Sequence, residues 1–183
     1  MGETITGSEP LFSADAEIHL TAAPLDVYAV VSDLPRSGDW SPECRGGSWI
    51  SGDPCAVGAV FRGENVRAAE VVAWAPVVRG AWTTYAEVVA AEPGRTFRWA
   101  MHDSAGRRQE SVWGFDLAPG ADGGTLLVHH FRMDAPTEGI RGITAAMDPV
   151  ERRRFFVEWG EKIADDLTAT LQRIRTAVET PGG

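Results

Sequence analysis

Near the end of the chain, apolar residues return every three or four positions: Phe156, Trp159, Ile163, Leu167, Leu171, Ile174 and Val178. That is the period of one helical face, and it predicts a continuous amphipathic helix from Pro149 to Val178. Arg152, Arg153, Glu161, Asp165, Asp166 and Arg173 fall on the opposite side, which is expected to face solvent. The start is marked as well: Asp148 suits the N-cap, Pro149 the first helical position, and Glu151 the third position of a capping box. About 30 residues at roughly 1.5 Å each make a rod of about 45 Å, long enough to cover a sheet.

Upstream the period drops to two. In the segment from Asp15 to Ala22, Ile18 and Leu20 alternate with Glu17 and His19, as in a half-buried strand. Ala23-Pro24 then opens a short helix with Val27, Val30, Val31 and Leu34 on one face, stopped by Pro35. Segments 44–51, 58–66, 81–91, 95–102, 109–118 and 124–133 read as six further strands separated by Gly, Pro and Asp. Short connections predict antiparallel pairing. The fold class is therefore α+β: a seven-stranded antiparallel sheet curved around a long C-terminal helix, with short helices after the first strand. Phe97, Trp99 and Met101, then Trp113, Phe115 and Leu117, then Leu127, His129, Phe131 and Met133 share phases that are expected to face that helix. Residues 1–14 read as a flexible arm and 15–179 as a single domain. Segment 66–80, with Trp74 near Ala75-Pro76, and segment 134–148 fall outside the scheme; each is expected either to gate a cavity or to pack on the outside.

Composition narrows the function. With 183 residues and 44% hydrophobic content, one sizeable core is expected. A formal charge of -9 argues against a nucleic-acid partner, since the only basic run, Arg152 to Arg154, is flanked by Glu151 and Glu158. No apolar stretch is long enough to span a membrane, and the N-terminus lacks the basic and apolar parts of an export signal, so a cytoplasmic location is expected. Cys44 and Cys55 lack partners at metal-ligand spacing and are expected to be free thiols. No metal site and no cofactor fingerprint is present, and monomer and homodimer both stay open. Arginine far outnumbers lysine, which occurs once, at Lys162, a composition expected of a GC-rich bacterial genome.

A helix gripped by a curved sheet leaves a space between them, and polar groups among the inward apolar ones distinguish a ligand site from a core. Asn65 shares a phase with Phe61 and Gly63, Thr84 with Trp82, Ser111 with Trp113, and His129 with Phe131. His129 is the candidate acid/base, because imidazole titrates near neutrality and can move a proton on an enolisable carbonyl; the alternative is a core histidine held by a hydrogen bond. His130 is then expected to point outward. Glu43, in the loop after the first helix, is expected at the pocket entrance as a base or as the group orienting His129, or else simply on the surface. Trp40, Trp49, Trp82, Trp99, Trp113 and Trp159 offer faces and edges to a flat polycyclic ligand, or equally fill a core. Gly160, beside Trp159 and followed by Ile163 on the helix, would leave room for a guest, at a helical cost of about 1 kcal/mol relative to Ala.

Several strings also carry a family likeness: Asp33 with Trp40-Ser41-Pro42-Glu43, Gly58-Ala59-Val60-Phe61-Arg62-Gly63 with Asn65, Glu92-Pro93-Gly94 with Phe97 and Trp99, Trp113 with Phe115, and Gly124-Thr125. Together with the element order, they resemble the helix-grip SRPBCC superfamily, and within it the actinobacterial polyketide cyclase/dehydrase branch, related to START lipid-transfer domains. The resemblance implies a deep, mostly apolar cavity holding a hydrophobic or aromatic small molecule. It does not by itself choose an activity. Three functions follow: a cyclase/dehydratase-type enzyme using His129 with Asn65, Thr84 or Ser111; a non-catalytic carrier of a lipid or aromatic metabolite; or a protein partner docking through the flap around Trp74.

Overall fold

The chain builds β1 (Phe12–Leu20), α1 (Pro24–Ser32), a 3-10 turn (Leu34–Asp39), β2 (Cys44–Ser51), β3 (Val60–Arg67), β4 (Gly80–Glu92), β5 (Thr96–His102), β6 (Arg108–Pro119), β7 (Thr125–Met133), α2 (Glu138–Thr144) and α3 (Pro149–Glu179). This is a computed structural model, which describes residues 9–68 and 80–179. Most of the expected flap, including Trp74, lies outside the described residues. The strands form one antiparallel sheet in the order β1-β7-β6-β5-β4-β3-β2. Each strand after β2 thus pairs with its predecessor in sequence, and β1 closes on β7.

The expected cap of the long helix is present in full. Asp148 Oδ1 accepts from the backbone amides of Val150 at 2.7 Å and Glu151 at 2.9 Å, while Glu151 Oε2 accepts from the Asp148 amide at 3.0 Å. Three orphan amides of the first turn are satisfied in this way. Along α3, Phe155, Trp159, Ile163, Leu167, Leu171 and Ile174 are buried. Phe155 is the more deeply buried of the pair Phe155–Phe156, so the stripe enters one residue earlier than its spacing predicts.

β1 starts at Phe12, before the alternation that begins at Asp15. The cause is tertiary: Phe12 pairs with Met133 and sets its ring 4.7 Å from that of Trp159. Segment 134–148 contains α2, capped by Thr137 and holding Ile140 buried against the cluster around Phe131, Phe155 and Trp159. A second cluster joins α1 (Val27, Val31), β5 (Phe97), β6 (Phe115), β7 (Leu127) and α3 (Leu171, Ile174). Among the described residues, no helix is long and apolar enough to cross a membrane.

Candidate functional site

The connection between α1 and β2 sets one wall. Ser41 accepts from the Cys44 amide at 2.9 Å through its Oγ, and its own amide donates to the Ser37 carbonyl at 2.7 Å. From α3, Arg173 donates to the Ser41 carbonyl at 2.7 Å. Gly46 lets β2 pass close beneath this turn: its φ is +110°, and a Cβ there would stand 2.4 Å from the Pro35 carbonyl oxygen. The result is a fixed loop that turns Trp40 inward and brings Glu43 over the edge of β3.

Between this loop, the sheet and α3 lies a cavity of about 240 Å³, partly open to solvent. Trp40, Glu43, Phe61, Asn65, Trp82, Thr84, Trp99, Met101, Trp113 and His129, all singled out by residue type and phase, stand on its wall. For scale, an apolar cavity of about 150 Å³ accepts benzene, so this space suits a two-ring aromatic molecule. Trp40 meets Phe115 edge-on with centroids 5.6 Å apart, and Trp99 lies 5.9 Å from Phe115, so the rings are packed in place before any guest arrives.

The polar equipment is sparse and oriented. His129 is buried, stacked on Phe115 at 4.1 Å, with Nδ1 2.8 Å from the Gly114 carbonyl oxygen. A carbonyl can only accept, so Nδ1 carries the proton and Nε2 keeps a lone pair. Among the described residues, nothing bonds Nε2. Burial pushes the imidazole down to about 3, against the opposing pull of the Gly114 carbonyl and with a small contribution from His130. The ring is therefore neutral at physiological pH. Across β3 and β4, Asn65 Nδ2 donates to Thr84 Oγ1 at 3.0 Å, which leaves the Thr84 hydroxyl its own hydrogen to donate. His130 takes the other face of β7, 3.3 Å from Asp116, as the strand period requires.

Glu43 does not orient His129. It is clasped by Arg67, whose Nε and Nη2 reach its two carboxylate oxygens at 2.5 and 2.7 Å, and by Lys162 at 2.8 Å. Burial raises its carboxyl, but the Arg67 hydrogen bonds and the Lys162 charge outweigh that and hold it below the ordinary carboxylate range. A carboxylate so tied is a poor general base. Lys162, whose side chain is only 7% exposed, also pairs with Asp166. Burial raises the Asp166 carboxyl despite that partner. Arg67 lies over the Trp82 ring at 4.8 Å.

Several of the sequence candidates stand off the cavity. Ser111 is buried in β6 but does not reach it. Phe131, Trp159 and Ile163 belong to the solid cluster under α2. Gly160 leaves no vacant space, because the Phe12 ring fills it: a Cβ there would meet Phe12 Cε2 at 3.2 Å. The β1 extension that brings Phe12 in is what moves the hollow toward the other end of the helix.

Conversely, the pattern missed Lys162, Asp166 and Thr170, which face inward on α3, and Arg67 on β3. Asp166 was expected in solvent. A signal existed: 162, 166 and 170 repeat at four and flank Ile163, Leu167 and Leu171, as a stripe wider than 100° demands. Arg67 continues the phase of Phe61, Gly63 and Asn65.

A family model described as polyketide cyclase / dehydrase and lipid transport matches residues 12–179. The chain belongs to this family. The SRPBCC likeness read from the sequence is thereby borne out, and the structural neighbours agree. A polyketide-cyc-like protein from Corynebacterium glutamicum, solved by NMR, is 27% identical, with 91% of this chain and 93% of that one covered and a TM-score of 0.56. The di-domain ARO/CYC protein BexL from the BE-7585A biosynthetic pathway is 17% identical, with 93% of this chain and 51% of that one covered and a TM-score of 0.64. The di-domain ARO/CYC protein StfQ from the steffimycin biosynthetic pathway is 12% identical, with 91% and 50% covered and a TM-score of 0.62. This chain spans about half of each di-domain protein, and at such identities the likeness concerns the fold alone. No curated protein matches the chain.

Proposed function

We propose that this protein binds a hydroxylated aromatic small molecule of about two rings in the cavity under α3, as a binding or carrier protein of bacterial secondary metabolism acting in the cytoplasm. The observation that carries this reading is the neutral His129, buried and fixed by Gly114, whose Nε2 has no partner among the described residues and which stands on the cavity wall beside Trp40, Trp99 and Trp113. Such an atom can accept from a phenol or enol hydroxyl, while Thr84 supplies a donor for a carbonyl or hydroxyl oxygen. The family description, with its lipid-transport member type, and the biosynthetic origin of two fold neighbours support the ligand class.

Isothermal titration with β-naphthol tests the reading: saturable one-to-one binding is expected, weakened about tenfold in His129→Leu, the value of one buried hydrogen bond. Absence of binding overturns it.

A second reading, a cyclase/dehydratase-type enzyme, is favoured by the same atom, since the Nε2 lone pair could take a proton from an enolisable carbon. A group held down to about 3 is a weak base at neutral pH, which places binding ahead. Turnover of an aromatic ketone that disappears in His129→Ala while binding persists would reverse that order.

A further inference from the structure

Asn65 on β3 and Thr84 on β4 stand together on the cavity wall. Thr84 lies directly across the ladder from Gly63, which presents no side chain, so Asn65 leans over that glycine to reach its diagonal neighbour. The space is needed: a Cβ at residue 63 would come within 3.0 Å of Thr84 Oγ1. One Asn65 Nδ2 hydrogen goes to Thr84 Oγ1 at 3.0 Å and the other to the Gly63 carbonyl at 3.4 Å. A carbonyl only accepts, which assigns the nitrogen to that side of the amide and leaves Oδ1 on the other. Asn65 is buried, with Oδ1 neither bonded nor walled in among the described residues, so this acceptor is bare toward the cavity that Asn65 lines. Beside it the Thr84 hydroxyl, whose oxygen already accepts from Asn65, keeps a hydrogen to give.

We infer that Asn65 and Thr84 form a second hydroxyl-binding post, at the far end of the cavity from His129, so that the natural ligand carries a hydroxyl on each of its two rings. This rests on the ligand-binding reading above and narrows its substrate class. An acceptor and a donor side by side match one hydroxyl group, which donates to Asn65 Oδ1 and accepts from Thr84 Oγ1. A carbonyl or ether oxygen has no hydrogen for Oδ1 and would leave that buried atom unmet. The two posts are well apart. Thr84 is on β4 and His129 on β7, three places along the sheet at about 4.8 Å each, with Met101, Trp99 and Trp113 lining the wall between them. Neighbouring hydroxyls on one ring do not span that separation. A lone hydroxyl goes to His129, whose Nε2 has no other partner among the described residues, whereas Asn65 and Thr84 already bond each other.

The test compares β-naphthol with 2,6-dihydroxynaphthalene, whose hydroxyls lie on separate rings, and with 2,3-dihydroxynaphthalene, whose hydroxyls share one ring, by isothermal titration at neutral pH. The 2,6-diol is expected to bind about fivefold tighter than β-naphthol, the gain of one more hydrogen bond, and the 2,3-diol no tighter than β-naphthol. The double variant Asn65→Leu with Thr84→Val replaces a mutually bonded pair by apolar side chains of similar size, a change that leaves stability nearly unaltered. In it, the ratio of 2,6-diol to β-naphthol affinity is expected to fall to about one. Equal affinities for the 2,6-diol and β-naphthol, a 2,3-diol that binds as tightly as the 2,6-diol, or a preference retained in the double variant would each overturn the second post while the ligand-binding reading stood. If none of the three compounds binds, that reading fails and the post falls with it.

Discussion

The Nδ1 of His129 stands 2.8 Å from the carbonyl oxygen of Gly114, the residue that lies opposite His130 across the β6–β7 ladder. Strand β6 thus chooses the tautomer of a side chain on β7, and with it the chemical character of the cavity wall. Neither residue does this alone, for the carbonyl fixes which nitrogen is protonated and burial keeps the other one bare.

That arrangement makes stability depend on pH. The imidazole is held near 3 when folded and titrates near 6.5 when unfolded. Between those values the unfolded chain binds the extra proton, so the contribution is complete above about pH 6.5 and is lost as pH falls from there toward about 3. Its full size is about 5 kcal/mol. Urea unfolding midpoints are expected to decline through this window, and the decline is expected to be shallower in His129→Leu. In NMR titration, the His129 ring resonances are expected to stay unchanged between about pH 7 and about pH 5.

Lys162 holds two carboxylates at once. Lys162→Met leaves Glu43 with Arg67 alone and takes from Asp166 its ion-pair partner. Because the carboxylates keep some solvent contact, the expected loss is about 2 kcal/mol, smaller than for a fully buried pair. Asp166→Asn added to Lys162→Met is expected to cost little more, and the double-mutant cycle reads their coupling from chemical denaturation.

Gly46 is the point at which β2 clears the turn that carries Trp40. Its φ of +110° strains any side chain, and a Cβ would overlap the Pro35 carbonyl oxygen at 2.4 Å. Gly46→Ala is expected to cost about 3 kcal/mol, and the displaced loop is expected to weaken β-naphthol binding as well, seen by unfolding and by titration.

Gly160 behaves oppositely. Alanine gains about 1 kcal/mol of helix propensity, while its Cβ must push the Phe12 ring back by a few tenths of an ångström from a contact of 3.2 Å. A ring near the start of an outer strand can yield, so Gly160→Ala is expected to change stability by less than about 1 kcal/mol. Ligand affinity is expected to stay the same, because residue 160 stands off the cavity. A large fall in affinity would show that the hollow extends to the Phe12 end of the helix.

Much of the architecture was legible because it rests on local regularities. Alternation assigned Phe97, Phe115 and Leu127 to one face of the sheet, and the spacing of Trp159, Leu167 and Ile174 gave the covering helix with its Asp148 cap. These patterns exist because each element must bury one face whatever its neighbours are, so the period is written along the chain itself. The same logic brought Asn65, Thr84 and His129 to the inward side. Tertiary structure decided where along that side the interior stays hollow. Phe12 closed the space at Gly160, α2 sealed the region of Phe131 and Trp159, and the turn above Gly46 set Trp40 against Phe115. It also decided that Lys162 and Asp166 turn inward: a charge on a helix is drawn toward solvent by hydration unless a partner on another element compensates it, and the partner that does so here, Glu43, is separated by more than a hundred residues in the chain. Periodicity records what one element needs, whereas a cavity and an ion cluster depend on which distant segments arrive together.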